Sequence, residues 1–181
     1  MILTDSKEIK DLCLSMCNQG RKVEDGKWLE HVRLGYNYRM SDINAALGIA
    51  QLSRAKELLR KRDKVAAIYN KYLSEIEEIK TPYVAPEAKI SWFVYVVRLS
   101  DKYVRKDRDK IMEKLKESGI SCSNYFQCIH LQPFYKEMFG YKAGDFPIAE
   151  NISDHTVALP FYNNLSEEKI RYVVRKLKRI L

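Results

Sequence analysis

The fold is decided by Leu34-Gly35-Tyr36-Asn37-Tyr38-Arg39-Met40-Ser41-Asp42, which directly precedes one of the longest proline-free helical patterns in the chain. Two tyrosines, an asparagine and an arginine occupy four successive positions, and Ser41-Asp42 is a typical helix N-cap. A loop that delivers hydrogen-bonding side chains to a helix start is well placed to meet an anion. The alternative is that both tyrosines only pack and Arg39 makes a surface ion pair, and the residue types leave both interpretations open.

The helical pattern that follows runs from Ser41 to about Ile79 without a proline and with one glycine, Gly48. Its first half is apolar on most faces, as expected of a segment buried between two layers, and its second half is amphipathic. We predict a helix, bent or broken, that links two structural units.

The segment before the opening stretch is short and loosely patterned. Ile2-Leu3-Thr4 predicts a short strand. Asp5-Ser6 predicts the cap of a helix that runs to about Met16, and Gly20 in the turn after it is a typical helix stop. Residues 22–33 are predicted to form a loop that leads to the opening stretch.

Prolines at positions 82 and 86 mark the start of a second unit in which strand and helix patterns alternate. This alternation predicts a small α/β unit with helices on one face of a short sheet. The predicted elements are a strand over 92–99, a helix over 107–118, a short strand over 120–124, an aromatic loop over 125–147, a helix from Phe146, a strand over 157–160 and a helix capped by Ser166. We therefore divide the chain into segments 1–40, 41–80 and 81–181.

The composition is that of an ordinary globular protein, with 46% hydrophobic and 31% charged residues among 181. No apolar run is long enough to span a bilayer, and the first residues turn polar too soon for a signal peptide, so we expect a cytoplasmic protein without a membrane partner. The cysteines at 13, 17, 122 and 128 lack zinc-site spacing, and we expect reduced thiols and no metal.

The net charge of +8 raises nucleic acid as a partner. The basic residues cluster over 54–64 and 171–179, where apolar residues recur at helical spacing and acidic residues are interspersed. Solvated helix faces explain these clusters better than a nucleic-acid surface does.

No self-sufficient catalytic motif is present in the sequence. There is no glycine-rich phosphate loop, no nucleophile elbow and no carboxylate pair at acid–base spacing. The residues alone therefore indicate an α/β domain with ligand-facing loops and do not specify a reaction.

The segment Gly35–Ala46 resembles the signature of the DegT/DnrJ/StrS-type sugar aminotransferases, which use pyridoxal 5′-phosphate (PLP) and have the aspartate-aminotransferase fold (fold type I). The resemblance implies the C-terminal part of such an enzyme: a strand–helix remnant of the large domain, a long linking helix, and a small α/β domain whose short sheet is covered by helices. Further motifs agree in order and spacing, namely Ser91–Arg98, Ile129–Tyr135, Gly140-Tyr141, Asp145–Pro147 and Ala158–Tyr162.

The resemblance also implies roles for individual residues. Asn37 matches the position that reaches across the family's dimer interface to the cofactor phosphate of the neighbouring subunit. Arg39 matches a partner of a substrate or amino-donor carboxylate, and Tyr36 is assigned with it to substrate binding. Tyr125 and His130 match a loop that contacts the nucleotide-linked sugar.

The family's Schiff-base lysine lies upstream of a strand that Met1–Asp5 resembles, so the resemblance implies that it is outside this chain. We assign no catalytic residue, and we expect the chain alone to bind no PLP and to lack transaminase activity. In the full-length enzyme the expected partners are a nucleotide-linked keto sugar, an amino donor and a second subunit of a homodimer. We expect the apolar residues that would face the large domain to drive self-association.

Two other interpretations stay open. The chain is a non-catalytic basic α/β module for interaction or dimerisation, with nucleic acid as a less favoured partner. Alternatively, the missing half is a separate polypeptide.

Overall fold

The computed structural model describes residues 2–22 and 30–181. They belong to two compact units, Met1–Arg54 and Ala55–Leu181. Most of the loop predicted over 22–33 lies outside the described residues. The division into segments 1–40, 41–80 and 81–181 stays a prediction.

The described residues of the first unit form two helices, α1 (Lys7–Cys17) and α2 (Asp42–Ser53). Both begin where the sequence predicts, because Ser6 Oγ accepts from the Ile9 N–H and Ser41 Oγ accepts from the Asn44 N–H. The strand predicted over residues 2–4 is wrong. A strand needs a neighbour for its N–H and C=O groups, and none of the described residues pairs with this segment.

The helix predicted from Ser41 to Ile79 is broken, as the sequence allowed, and it is shorter than predicted. It stops after Ser53 and resumes as α3 (Ala55–Leu73) in the second unit. It ends at Leu73, and Ile79 at the end of the predicted helix instead pairs with Leu99 in a sheet. This long-range contact overrides the local helical pattern.

The second unit is built on a three-stranded antiparallel sheet in the order β1 (Ile79–Lys80), β2 (Tyr95–Leu99) and β3 (Thr156–Leu159). The strand predicted over 92–99 is confirmed with shorter bounds, the strand predicted over 157–160 is confirmed one residue earlier, and Pro160 directly follows β3. The two-residue strand β1 was missed, since its pattern is continuous with the preceding helix.

One side of the sheet carries the core of the unit. Tyr95, Val97 and Leu99 alternate along β2 and are fully buried together with residues of α3, α4 (Arg105–Glu117) and α7 (Glu167–Ile180). The Tyr69 ring stacks on Tyr95 with centroids 4.8 Å apart, and its hydroxyl donates to the Pro160 carbonyl. The α/β class is therefore confirmed, with a short sheet covered by helices.

The last helix shows why the basic clusters are not evidence of a nucleic-acid surface. Ser166 caps α7 as predicted, with its Oγ accepting from the Lys169 N–H. The helix buries one apolar stripe, which leaves its cations on the solvated side; the stripe consists of Ile170, Val173, Val174 and Leu177. A fully buried leucine or isoleucine of this kind contributes about 1.5–3 kcal/mol.

Two predictions between β2 and α7 are corrected. The segment 120–124 makes one isolated bridge, Ser123 to Ala158, and is not a strand. The aromatic segment 125–147 is not all loop, since it contains a 3₁₀ turn (Ile129–Leu131) and α5 (Pro133–Phe139). Proline at N1 and the left-handed Gly140 after the last residue were available signals for α5. The predicted helix from Phe146 is α6 (Pro147–His155).

Candidate functional site

The motif loop, residues 34–42, is fixed by backbone hydrogen bonds to the end of α1. The Tyr36 N–H donates to the Met16 carbonyl at 2.6 Å, and the Tyr38 N–H donates to the Cys17 carbonyl at 2.9 Å. Carbonyls in the last turn of a helix have no partner within the helix, so these contacts satisfy them. The end of α1 therefore determines where the loop lies.

Two glycines allow the turn after α1 to touch the motif loop. A Cβ on Gly35 would lie 2.0 Å from the Gly20 nitrogen, which is backbone and cannot rotate away. Gly20 itself has φ +75°, in the left-handed region that disfavours other residues. A side chain at either position forces the two backbone segments apart.

We expect Gly35→Ala to lower the free energy of unfolding by about 1–3 kcal/mol, the usual cost of overpacking. It should also speed hydrogen exchange of the Tyr36 and Tyr38 amides, because their acceptors on α1 move away. Gly48→Ala is the matched control, since a Cβ there meets nothing within 4 Å and alanine favours the helix. Unchanged exchange at both tyrosines in Gly35→Ala would contradict the close approach.

Asn37 and Arg39 form a pair whose orientation follows from their chemistry. The Arg39 Nε donates to the Asn37 Oδ1 at 3.0 Å. Arginine only donates, so the amide oxygen must face it and the Asn37 Nδ2 hydrogens remain for another acceptor. Arg39 makes no ion pair with residues 2–22 or 30–181.

The tyrosines of the motif loop pack on each other rather than in a core. The rings of Tyr36 and Tyr38 are stacked with centroids 4.9 Å apart, and both side chains are largely exposed. Amide, guanidinium and hydroxyl donors thus stand together just before the N-terminus of α2. Donors of this kind suit a phosphate group, so the loop fits the phosphate end of a cofactor.

The second unit contains a separate candidate site, an aromatic cavity of about 680 Å³. This volume is in the usual range for small-molecule sites, and six tyrosine and phenylalanine rings line it together with the His130 imidazole and a few polar groups. Tyr125 and His130, both predicted from the sequence to contact substrate, line this cavity. The other principal lining residues are Phe126, Tyr135, Phe139, Tyr141, Phe146 and Ser153.

His130 is held firmly at the cavity wall. The residue is 8% exposed, and its Nε2 lies 2.9 Å from the Glu150 Oε1. The Phe146 ring covers it with centroids 4.7 Å apart. Hydrogen bonds from the Gly144 N–H and then from His130 hold the pKa of the Glu150 carboxyl below its ordinary value.

Tyr125 is positioned by other rings. Its own ring stacks on Phe126 at 3.8 Å between centroids and meets the edge of Phe93 at 6.1 Å. The Ser153 Oγ, on α6, donates to the Phe126 carbonyl at 2.6 Å and ties this wall to the helix.

A buried arginine supports that helix from behind. Arg108 on α4 is 1% exposed, and its Nη1 lies 3.0 Å from the Ser153 carbonyl and 3.4 Å from the Thr156 carbonyl. The Asp109 carboxylate lies 2.7 Å from the Arg108 Nε without hydrogen-bond geometry. Sequence reasoning missed Arg108, although it lies at i, i+3, i+7 with Ile111 and Leu115, on the apolar stripe of α4.

The structure thus brings Tyr125 and His130 to one cavity, while Tyr36, Asn37 and Arg39 share the motif loop of the other unit. All four cysteines are free thiols. Within residues 2–22 and 30–181, no cluster of three or more His, Cys, Asp or Glu side chains suits a metal, and no helix is long and apolar enough to cross a membrane.

Comparison with known proteins gives one consistent result. Residues 1–178 match the sequence profile of the DegT/DnrJ/EryC1/StrS aminotransferase family. The spore coat polysaccharide biosynthesis protein SpsC of Bacillus subtilis is 30% identical over 190 residues, covering 100% of this chain and 49% of SpsC. GDP-perosamine synthase of Escherichia coli O157:H7 is 29% identical over 177 residues, covering 98% of this chain and 46% of that enzyme.

The fold is likewise that of solved aminotransferases. The PLP form of the putative sugar aminotransferase Spr1654 from Streptococcus pneumoniae superimposes with a TM-score of 0.87 at 24% identity. The superposition covers 98% of this chain and 44% of that one. The chain spans about half the length of the curated relatives it matches.

Proposed function

Because the chain belongs to the DegT/DnrJ/EryC1/StrS aminotransferase family, we propose that it is the C-terminal half of a PLP-dependent enzyme that aminates keto groups on nucleotide-linked sugars. The observation that carries this proposal is the family match over residues 1–178, together with its span of about half the length of the relatives. A cytoplasmic location remains part of the proposal.

The substrate class is supported by what the relatives are named for. One similar protein makes a GDP-linked sugar, perosamine, and another serves spore coat polysaccharide biosynthesis. An aromatic cavity of about 680 Å³ with a few polar groups is suited to a sugar nucleotide, whose rings offer flat faces and whose hydroxyls offer hydrogen bonds. We therefore assign Tyr125 and His130 to binding of the nucleotide-linked sugar.

The motif loop is assigned to the cofactor and the amino donor. The Asn37 Nδ2 hydrogens, which have no acceptor among residues 2–22 and 30–181, are donors for the cofactor phosphate of a neighbouring subunit, and the Arg39 guanidinium is a fork that matches a carboxylate. Tyr36, stacked on Tyr38, presents its hydroxyl to substrate beside them. When bound, PLP supplies the electron sink for the transfer of the amino group.

The proposal is tested by supplying the other half of the enzyme. The chain is produced together with the segment that encodes the Schiff-base lysine, taken from DNA immediately upstream of the Met1 codon or from an adjacent reading frame. We expect PLP-dependent amination of a GDP- or UDP-linked keto sugar. If no amination occurs with any nucleotide and amino donor tried, although the two parts form a stable complex, the proposed activity is wrong.

Helix α2 supports assembly into a dimer or larger oligomer. Its four large apolar side chains are 60% to 82% exposed, and none of its residues is buried; the four are Ile43, Leu47, Ile49 and Leu52. A monomer rarely leaves such a row uncovered.

We expect the purified chain to self-associate in light scattering and Leu47→Lys to shift it towards the monomer. Tyr83→Lys, which changes an exposed residue of the other unit, serves as the control and should leave the oligomer intact. A monodisperse monomer of the unmodified chain would contradict this prediction.

A further inference from the structure

Glu150, in the first turn of α6, accepts four hydrogen bonds beside the aromatic cavity. Its two carboxylate oxygens accept from the Gly144 N–H at 2.9 and 3.0 Å, and Oε1 also accepts from the Phe146 N–H at 3.3 Å. The fourth contact is with the His130 Nε2 at 2.9 Å. One side chain therefore holds both the imidazole and the loop that carries the ring covering it.

The contact between Glu150 and His130 determines which nitrogen of the imidazole carries the hydrogen. These donors keep the pKa of Glu150 below its ordinary value, so the group is a carboxylate near neutral pH and can only accept. The hydrogen between Glu150 and His130 must then be on Nε2. In the neutral ring Nδ1 is the acceptor, and it has no hydrogen-bond partner among residues 2–22 and 30–181.

We propose that Glu150 is a positioning residue that holds His130 as the Nε2–H tautomer, so that Nδ1 is the nitrogen offered to a ligand in the aromatic cavity. A carboxylate that orients a histidine through one nitrogen and leaves the other for chemistry is a recurrent device in binding sites. The ligand group that matches a neutral Nδ1 is a hydrogen-bond donor, such as a sugar hydroxyl or a nucleobase N–H. This choice of ligand rests on the proposed function, whereas the tautomer does not.

A purely architectural role for Glu150 makes a different prediction. A carboxylate in the first turn of a helix also stabilises the helix dipole and satisfies loop N–H groups. Its removal would then lower stability without changing which nitrogen of His130 carries the hydrogen. The two roles are separated by observing the imidazole nitrogens directly.

The experiment is nitrogen NMR of the chain with ¹⁵N-labelled histidine, at pH about 8.5, roughly two units above the ordinary histidine pKa. His130 is assigned as the signal lost in His130→Asn or, if that variant does not fold, as the signal that remains after those lost in His31→Asn and His155→Asn are removed. We expect His130 to show a pyridine-like Nδ1 and a pyrrole-like Nε2. In Glu150→Gln, whose amide can donate or accept, both shifts should move towards a tautomer average.

Glu113→Gln, the same chemical change at an exposed position of α4 that does not contact His130, is the control and should leave His130 unchanged. A His130 spectrum that is identical in Glu150→Gln and in the unmodified chain would overturn the proposal, even if the variant is less stable. A pyrrole-like Nδ1 in the unmodified chain would overturn it as well.

Titration with GDP and with UDP separates this inference from the proposed function. A shift of the Nδ1 resonance on addition of either nucleotide supports both. A fixed tautomer that depends on Glu150, with no response to either nucleotide, supports the positioning role and contradicts the assignment of the cavity to the nucleotide-linked sugar.

Discussion

The purified chain alone will not aminate a nucleotide-linked keto sugar above a no-protein control, even with excess PLP and an amino donor. In this family the Schiff-base lysine gives the cofactor its covalent anchor and moves the proton that accompanies amino transfer. A positioned acid–base group by itself contributes about 10²–10⁴-fold to rate. We propose that this lysine is not among the residues of the present chain; cofactor binding then also loses its covalent contribution, and we expect no measurable turnover.

The lysines of this chain provide a second measurement of the same prediction. Borohydride reduction in the presence of PLP, followed by peptide mass spectrometry, should label exposed lysines without a preferred position. One lysine labelled in the folded chain and not in the unfolded chain would contradict the prediction, as would amination above the control. The chain produced with the lysine-bearing segment is the positive control, and there a single preferred lysine is expected.

Arg108→Met will lower the free energy of unfolding by about 2–4 kcal/mol. The substitution keeps most of the buried volume but leaves the Ser153 and Thr156 carbonyls without their donor. Each buried group left unsatisfied costs about 1–3 kcal/mol. Relief from burying the guanidinium offsets part of this loss, and Asp109 is half exposed, so its charge remains solvated.

The matched control is Arg105→Met, on the same helix. Arg105 is exposed and lies 4.0 Å from Asp154, so its loss should change stability by less than about 0.5 kcal/mol. Denaturant unfolding measures both variants, and hydrogen exchange in the last turn of α6 should rise only in Arg108→Met, because Arg108 holds the Ser153 and Thr156 carbonyls there. Equal effects of the two substitutions would contradict the role of Arg108.

The elements predicted well from sequence are those whose signals are local. Ser6, Ser41 and Ser166 cap the helices they were predicted to cap, because a cap depends on a side chain and an N–H three residues away. The strand ended by Pro160 was found for the same reason. The strand predicted over residues 2–4 failed because strand formation depends on a partner, not on the segment's own residues.

The candidate site shows the same division. The motif loop was identified from composition and resemblance, and its aromatic, amide and guanidinium groups are adjacent in sequence. Glu150 was not identified, because it meets His130 only after α6 folds back on the 3₁₀ turn, and nothing in the spacing of the two residues indicates a contact. The burial of Arg108 could have been predicted from its position on the apolar stripe of α4. The carbonyl groups that it contacts could not be predicted from the sequence.

The sequence by itself determined the family, the α/β class and the starts of the helices capped by Ser6, Ser41 and Ser166, since each of these depends on residues within a few positions or on a whole-chain pattern. Only the tertiary structure decided which side chains share a site. It brought Tyr125 and His130 to one cavity, placed Glu150 against His130, and brought Gly20 into contact with Gly35. The physical reason is that hydrogen bonds and packing act over a few ångströms in space, and residues far apart in the chain reach that distance only when the fold has formed. The motif loop depends on both: its sequence supplies the hydrogen-bond donors, and its backbone contacts with the end of α1 determine where they lie.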